Sequence, residues 1–165
     1  MTPEQEILQD ALAAARQRVD RFANELRTHG RWLPLDPGTD WSDPSDALTT
    51  EMAAFTKRYE MTQDVVTRRL FRSVLAVRGT MLRTQALAQV MEAMAALGVV
   101  TDAARWEEIT KLRNSFAHDY MLTFAKLVPL LNQAWVFAPD LIDMVARVER
   151  HVAAHGLLEP AGEQD

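Results

Sequence analysis

Apolar residues recur at intervals of three and four along nearly the whole chain, and no other feature restricts its fold as strongly. In the first predicted helix they lie on one face and comprise Leu8, Leu12, Ala15, Val19, Phe22 and Leu26. The sequence has no sustained alternation of apolar and polar residues, which is the pattern of a half-buried strand, and its β-branched residues are sparse. The sequence therefore predicts an all-α protein.

Residues that start and end helices divide the chain into six predicted helices. Thr2 is a predicted N-cap with Pro3 at the first helical position, and Gly30 ends the first helix. The further predicted helices run over about 45–78, 83–97, 101–118, 123–137 and 139–156. Pro129 is expected to kink the fifth helix, and Pro139 to open the sixth. Long helices with one apolar face each predict an antiparallel up-and-down bundle of five to six helices.

The length of 165 residues fits a single domain. We assign residues 1–156 to this domain, with its motif-bearing core over about 46–156, and residues 157–165 to a frayed tail. The one long loop, over 29–45, carries three prolines and two glycines. Its Trp32, Leu33 and Trp41 predict that it packs on the bundle.

Several classes of function are excluded by composition. The chain has no cysteine, so a disulfide scaffold, a thiolate zinc site and a cysteine nucleophile are all ruled out. Its four histidines are scattered, and His151 with His155 makes only a thin case for a metal site. Glycine-rich phosphate loops and metalloprotease motifs are absent, so no metal and no cofactor are predicted. Without a signal peptide or an apolar run of membrane-spanning length, we expect a cytoplasmic protein with no membrane association.

Positive charge is concentrated in one stretch of an otherwise acidic chain. The formal net charge is −5, but Lys57–Arg83 holds seven basic residues and only two acidic ones. Such an element can hold a phosphate backbone locally, which makes Arg68, Arg69 and Arg72 candidate RNA-binding residues. The alternative is a solvated helix face with no ligand.

A cluster of polar residues stands at the end of the fourth predicted helix and includes Arg113, Asn114, His118 and Tyr120. Helical spacing places Asn114 and His118 one turn apart, beside the buried positions. Arginine offers a forked cation to phosphate oxygens, histidine transfers protons near neutral pH, and RNA carries its own nucleophile in the 2′-hydroxyl. The set therefore suits cleavage of a phosphodiester without a metal ion. The alternative is structural, because cations near a helix C-terminus also complement its dipole and its free carbonyls.

These residues resemble a known family. Arg113, His118 and Tyr120 match the R-x-x-x-x-H-x-Y signature of HEPN domains, in the branch of the HepT-type toxins that are paired with nucleotidyltransferase antitoxins. Asn114 directly follows the arginine, as in that family. The segments before and after the motif, Trp-Glu-Glu-Ile-Thr-Lys-Leu-Arg-Asn and Ala-His-Asp-Tyr, match as well.

The resemblance covers about residues 48–152, and its specific part is 106–120. It departs from the family after the tyrosine, where Met121-Leu122 replaces the usual proline or short polar turn. What it implies is a helical bundle that forms a homodimer, with the motif helices of two protomers facing each other across a cleft. In active members of the family that cleft is a metal-independent endoribonuclease.

The resemblance also implies a role for each residue of the motif. Arg113 would stabilise the phosphate, His118 would transfer the proton, and Asn114 would orient the site. Tyr120 matches the tyrosine that partner nucleotidyltransferases modify with AMP to silence such toxins. The expected function is an RNA-cleaving toxin of a toxin–antitoxin pair. The alternative is a non-catalytic subunit that holds a nucleotide or substrate for a partner nucleotidyltransferase.

Overall fold

The computed structural model describes residues 1–80, 85–118 and 122–159. Its elements are α1 (Pro3–His29), α2 (Asp46–Asp64), a π-helical turn (Val65–Leu70), α3 (Phe71–Val77), α4 (Leu87–Ala96), α5 (Ala103–Phe116) and α6 (Phe124–Ala154). Because α2, the π-helical turn and α3 follow one another without a break, these described ranges form five helical rods, with no strand among them. The predicted all-α bundle is confirmed.

Two pairs of contacting helices, α1 with α6 and α2 with α5, run antiparallel. At the start of α1, the Gln5 side chain donates to the carbonyl of Leu157, which lies just beyond the end of α6. Farther along α1, Arg16 pairs with Glu149 of α6. The helices α2 and α5 are related in the same way, because Gln63 contacts Thr110 and the later Phe71 ring packs on the earlier Trp106.

The predicted apolar faces form the core. On α1, Leu8, Ala15, Val19 and Phe22 are fully buried, and Leu12 and Leu26 pack against them from the edge. The loop before α2 packs on the bundle as expected, because Leu33 and Leu35 are buried. The Asn132 side chain of α6 pairs with both the N–H and the carbonyl of Leu35.

The predicted break in the last helix is wrong. Residues 124–154 form one continuous helix, with Pro129 and Pro139 inside it. Both prolines lie on the exposed side of α6, so water can bond the carbonyl that each one leaves without a donor. The opposite side of α6 buries a continuous apolar face, and this burial outweighs the lost hydrogen bonds.

Three smaller differences concern boundaries. The helix predicted from 83 begins at Leu87, preceded by Ala86 as its N-cap, whereas 81–84 lie outside the described residues. The second helix contains a π-helical turn that periodicity does not reveal. Of the tail predicted to fray, residues 157–159 pack on α1, where Gln5 donates to the carbonyls of Leu157 and Glu159.

None of the helices that the structure describes combines the length and the apolar character that a membrane span requires. Although α6 has 31 residues, both its ends and its exposed side carry charged groups. The longest apolar faces of the described chain therefore belong to the core of the bundle.

Candidate functional site

The polar cluster lies at the C-terminal end of α5. Asp102 caps the start of this helix by accepting from the N–H of Arg105. Four residues on one side are buried in the core, namely Trp106, Ile109, Leu112 and Phe116. The helix ends at Phe116, earlier than the predicted 118, and His118 continues in a tight turn in which its N–H donates to the carbonyl of Ser115.

Arg113 stands at the border between the core and the surface, and its guanidinium binds Asp64 at the end of α2. Its Nε donates to Oδ1 over 2.9 Å and its Nη2 donates to Oδ2 over 2.8 Å. The Arg113 side chain is 20% exposed and that of Asp64 is 32% exposed. The hydrogen bond to Asp64 raises the pKa of Arg113, against an opposing effect of partial burial. Sequence reasoning missed Asp64 entirely.

Arg68 is the one candidate RNA-binding residue that the described structure brings to Arg113. Its Nε lies 3.4 Å from the same Asp64 Oδ1, one helical turn along the chain. The Arg68 side chain is 55% exposed, so most of it is open to solvent. Glu60, one turn before Asp64, adds a second negative charge that also raises the pKa of Arg113.

Within the described residues, the other two candidate arginines form no hydrogen bond or ion pair with Asp64 or Arg113. Arg72 donates from Nη1 to the carbonyl of Gln85 over 2.8 Å and so ties α3 to the segment before α4. Arg69 is exposed. Farther back, Arg58 contacts His29 and Glu25 on α1. The basic stretch is thus divided among several environments and does not form one uniform face.

Asn114 and His118 are both exposed. Neither side chain forms a hydrogen bond within the described part of the chain, so the role of Asn114 in orienting the site stays a prediction. Tyr120, the predicted site of modification, lies outside the described residues, as do Asp119 and Met121.

A seam of buried polar groups fixes α5 against α2 directly behind Arg113. The Tyr59 hydroxyl donates to the carbonyl of Ile109 over 3.0 Å, and Gln63 Nε2 donates to Thr110 Oγ1 over 2.9 Å. Tyr59 is fully buried and Gln63 is 1% exposed. Because a buried polar group without a partner is costly, these bonds specify how α2 and α5 pair. The seam therefore sets how α2 is positioned along α5, and with it the contact between Asp64 and Arg113.

The remaining histidines occupy other places. His151 and His155 stack with ring centroids 4.2 Å apart near the end of α6. Across residues 1–80, 85–118 and 122–159, no three side chains of the metal-binding kinds are grouped as a metal ion requires. His29 is fully buried between Glu51 and Arg58, which makes it part of the interior of the bundle.

A cleft of about 470 Å³ opens between α5 and α6, toward the other end of α5. Its walls include Arg105 and Asp140, which pair with each other, and Arg147, which donates to Thr101. With a rise of about 1.5 Å per residue, the nearest cleft residue on α5, Ile109, lies about 6 Å along the helix axis from Arg113, and no residue of the polar cluster lines the cleft. The cleft is thus a separate feature and not part of the candidate site.

Comparisons with family models, with curated proteins and with solved structures returned no match to this chain. Evidence on function therefore comes from the site itself. That site joins a forked cation held by a carboxylate, a second arginine beside it, and an exposed imidazole at the end of the same helix. These groups can bind a phosphodiester and transfer a proton.

Proposed function

We propose that this protein is a metal-independent endoribonuclease, the toxin of a toxin–antitoxin pair, which cleaves RNA at the cleft of a homodimer in the cytoplasm. The observation that carries the proposal is the placement of Arg113 and His118 at one end of α5. There, Asp64 holds the arginine at the surface, and the histidine is exposed. A histidine with a purely structural role at this position would be expected to bond a free carbonyl of the helix, and the His118 ring bonds none within the described residues.

The proposed reaction uses the nucleophile of the substrate. His118 takes the proton from the 2′-hydroxyl, or donates one to the leaving 5′-oxygen, as the 2′-oxygen attacks the adjacent phosphorus. Arg113 binds the non-bridging oxygens, whose negative charge grows in the transition state. The products are a 2′,3′-cyclic phosphate and a 5′-hydroxyl. Asn114 orients the site.

A homodimer completes this site. One Arg–His pair offers few groups to an RNA strand, and pairing two copies across a two-fold axis doubles the cations and forms a groove. Arg68, which lies beside Arg113 through Asp64, extends that groove along the phosphate backbone. A partner nucleotidyltransferase would silence the enzyme by attaching AMP to Tyr120, since a bulky anion two residues beyond His118 blocks the approach of RNA.

The test compares wild type with His118→Ala, with His155→Ala as the matched control because His155 is exposed and far along the chain. We expect His118→Ala to lower RNA cleavage by about 10²–10⁴-fold, the effect of a positioned acid or base, and to relieve growth inhibition on induction. His155→Ala should retain both activities. Full cleavage by His118→Ala contradicts the proposal.

A specific observation favours the alternative of a non-catalytic binding subunit. Asp64 already neutralises much of the charge of Arg113. This is expected of an arginine in a structural ion pair more than of an arginine that stabilises a transition state. Under this alternative the protein binds a nucleotide for a partner nucleotidyltransferase and cleaves nothing. The alternative is supported if the protein binds a nucleotide but does not cleave RNA, and if His118→Ala binds the nucleotide as tightly as wild type.

A further inference from the structure

We propose that Asp64 is a positioning residue that selects which edge of the Arg113 guanidinium binds phosphate. This inference rests on the proposed function, since it concerns the same phosphate. A guanidinium presents two edges with parallel N–H groups, a lateral edge formed by Nε and Nη2 and a terminal edge formed by Nη1 and Nη2. Asp64 occupies the lateral edge with both of its oxygens.

The terminal edge of Arg113 remains for a ligand. Its Nη1 forms no hydrogen bond within the described part of the chain, and the side chain is 20% exposed. Because Asp64 occupies the lateral edge, the terminal edge is the one whose parallel N–H groups are left for a phosphate. Asp64 therefore fixes the edge at which the phosphate is bound.

The position of Asp64 is itself fixed from both helices. It is the last residue of α2, directly before the π-helical turn, and its neighbour Gln63 is bonded to Thr110 of α5. On α5, Thr110 precedes Arg113 by one turn and its hydroxyl also bonds the carbonyl of Trp106. The carboxylate and the guanidinium thus meet between two adjacent, rigid contacts. Preorganisation of this kind strengthens the stabilisation of charge in a transition state.

Arg68 compensates for the charge of the carboxylate. Its Nε lies 3.4 Å from Asp64 Oδ1, the same oxygen that accepts from Nε of Arg113. The side chains of Arg68, Asp64 and Arg113 together carry one net positive charge, which Glu60, one turn before Asp64, offsets. Asp64 itself is not an isolated negative charge, because Arg68 and Arg113 both lie beside its carboxylate.

The test uses Asp64→Asn, which keeps one acceptor but loses the charge and one of the two hydrogen bonds. We expect its kcat for RNA cleavage to fall by about 10–100-fold, the usual effect of removing a group that orients a functional residue. We expect KM and binding of a 2′-deoxy oligonucleotide to stay within twofold. Asp64→Glu should recover part of kcat, and Asp10→Asn, at an exposed carboxylate of α1, should change nothing.

A merely structural role gives a different result, because then kcat per folded molecule stays unchanged and only the melting temperature falls. If Asp64→Asn instead has a higher kcat and binds RNA more tightly, the Asp64 carboxylate acts by repelling the phosphate. Either outcome overturns the proposal.

A second measurement separates this proposal from the proposed function. Inorganic phosphate is titrated into wild type, and the side-chain N–H resonances of Arg113 are followed by NMR after assignment with Arg113→Lys. We expect the Nη resonances to shift while the Nε–H resonance, bonded to Asp64, stays in place. If the Nη resonances shift in this way but the protein does not cleave RNA, the proposed ribonuclease function is contradicted and the selection of the terminal edge is supported. A shift of Nε–H on displacement of Asp64, or no response at Nη, contradicts edge selection.

Discussion

Asp64 and Arg113 are 49 residues apart in the chain, and they meet through two parallel hydrogen bonds across the contact of α2 and α5. The pair joins the end of one helix to the end of another. The residues behind it, Gln63 and Thr110, are bonded as well. Any change in the packing of α2 against α5 therefore alters the position of the arginine that the proposed reaction requires.

Arg113→Lys tests whether the fork itself is needed. Lysine keeps the positive charge but cannot bind Asp64 and a phosphate through parallel N–H groups. We expect RNA cleavage to fall by at least about tenfold, with the melting temperature within a few degrees of wild type because the site is only partly buried. Arg21→Lys, at an exposed arginine of α1 with no assigned role, is the control that should retain full activity.

Replacement of Arg68 and Arg69 by Glu tests whether the basic stretch contacts RNA. Each phosphate contact that is lost reduces the slope of log K against log salt by about 0.7 for a single strand. We expect weaker binding and a reduced slope, measured by titration of a fluorescent oligonucleotide at several salt concentrations. Arg21→Glu, at an exposed position of α1, should leave the slope unchanged. If the slope for the Arg68 and Arg69 double variant equals that for Arg21→Glu, the two arginines are solvated and do not contact RNA.

The products of cleavage give a third test. Because the proposed nucleophile is the 2′-hydroxyl, cleavage should leave a 2′,3′-cyclic phosphate and stop when the scissile nucleotide is 2′-deoxy. We expect full activity in EDTA, measured by gel analysis and mass spectrometry of the fragments. Cleavage that requires a divalent cation, or a product with a 5′-phosphate, contradicts the proposed mechanism.

The sequence predicted the helices because their signals are local. Thr2, Pro3 and Gly30 bound the first helix as expected, since capping and glycine effects act within a few residues. The same locality explains the error at Pro139. A proline is a local signal that predicts the end of a helix. The burial of ten residues on the other side of α6, which keeps the helix continuous, is a tertiary effect that local signals do not show.

The candidate site was predictable only in part. A motif within one predicted helix brings Arg113, Asn114 and His118 together; the structure has Arg113 and Asn114 in the last turn of α5 and His118 in the turn that follows. Asp64 carries no local signal, because its role depends on the pairing of two helices and on a π-helical turn. Acidic residues before a basic stretch are too common to point to a partner 49 residues away.

Pro139→Ala tests the continuity of α6. Alanine restores a donor to the carbonyl of Trp135 and removes a residue that is about 3 kcal/mol less favourable than alanine within a helix. Because proline also restricts the unfolded chain, we expect a net gain of about 2 kcal/mol in the free energy of unfolding. Urea titration measures it. Pro37→Ala, in the loop before α2, should give no gain, and a loss in Pro139→Ala shows that the proline sets a curvature that the core needs.

The buried His29 predicts how stability depends on pH. Arg58 Nη1 lies 3.0 Å from Nε2 of the ring, and arginine only donates, so Nε2 accepts and Nδ1 carries the proton that it donates to Glu51. Burial lowers the pKa of His29 from its ordinary 6.5, Arg58 lowers it further, and Glu51 and Glu25 oppose the shift. Protonation of Nε2 would also place an N–H against that of Arg58.

A lowered pKa in the folded state means that the unfolded chain binds the proton first as the pH falls. The contribution of His29 to stability is therefore complete above about pH 6.5 and is lost progressively below it. We expect the free energy of unfolding, from urea titrations between pH 7.5 and 5 (about one pH unit above and one and a half below the ordinary value), to fall more steeply for wild type than for His29→Gln. Glutamine offers one acceptor and one donor without titrating. Its residual slope includes His151, whose pKa burial also lowers, and His118→Gln controls for an exposed histidine. Equal slopes in wild type and His29→Gln contradict a neutral buried imidazole.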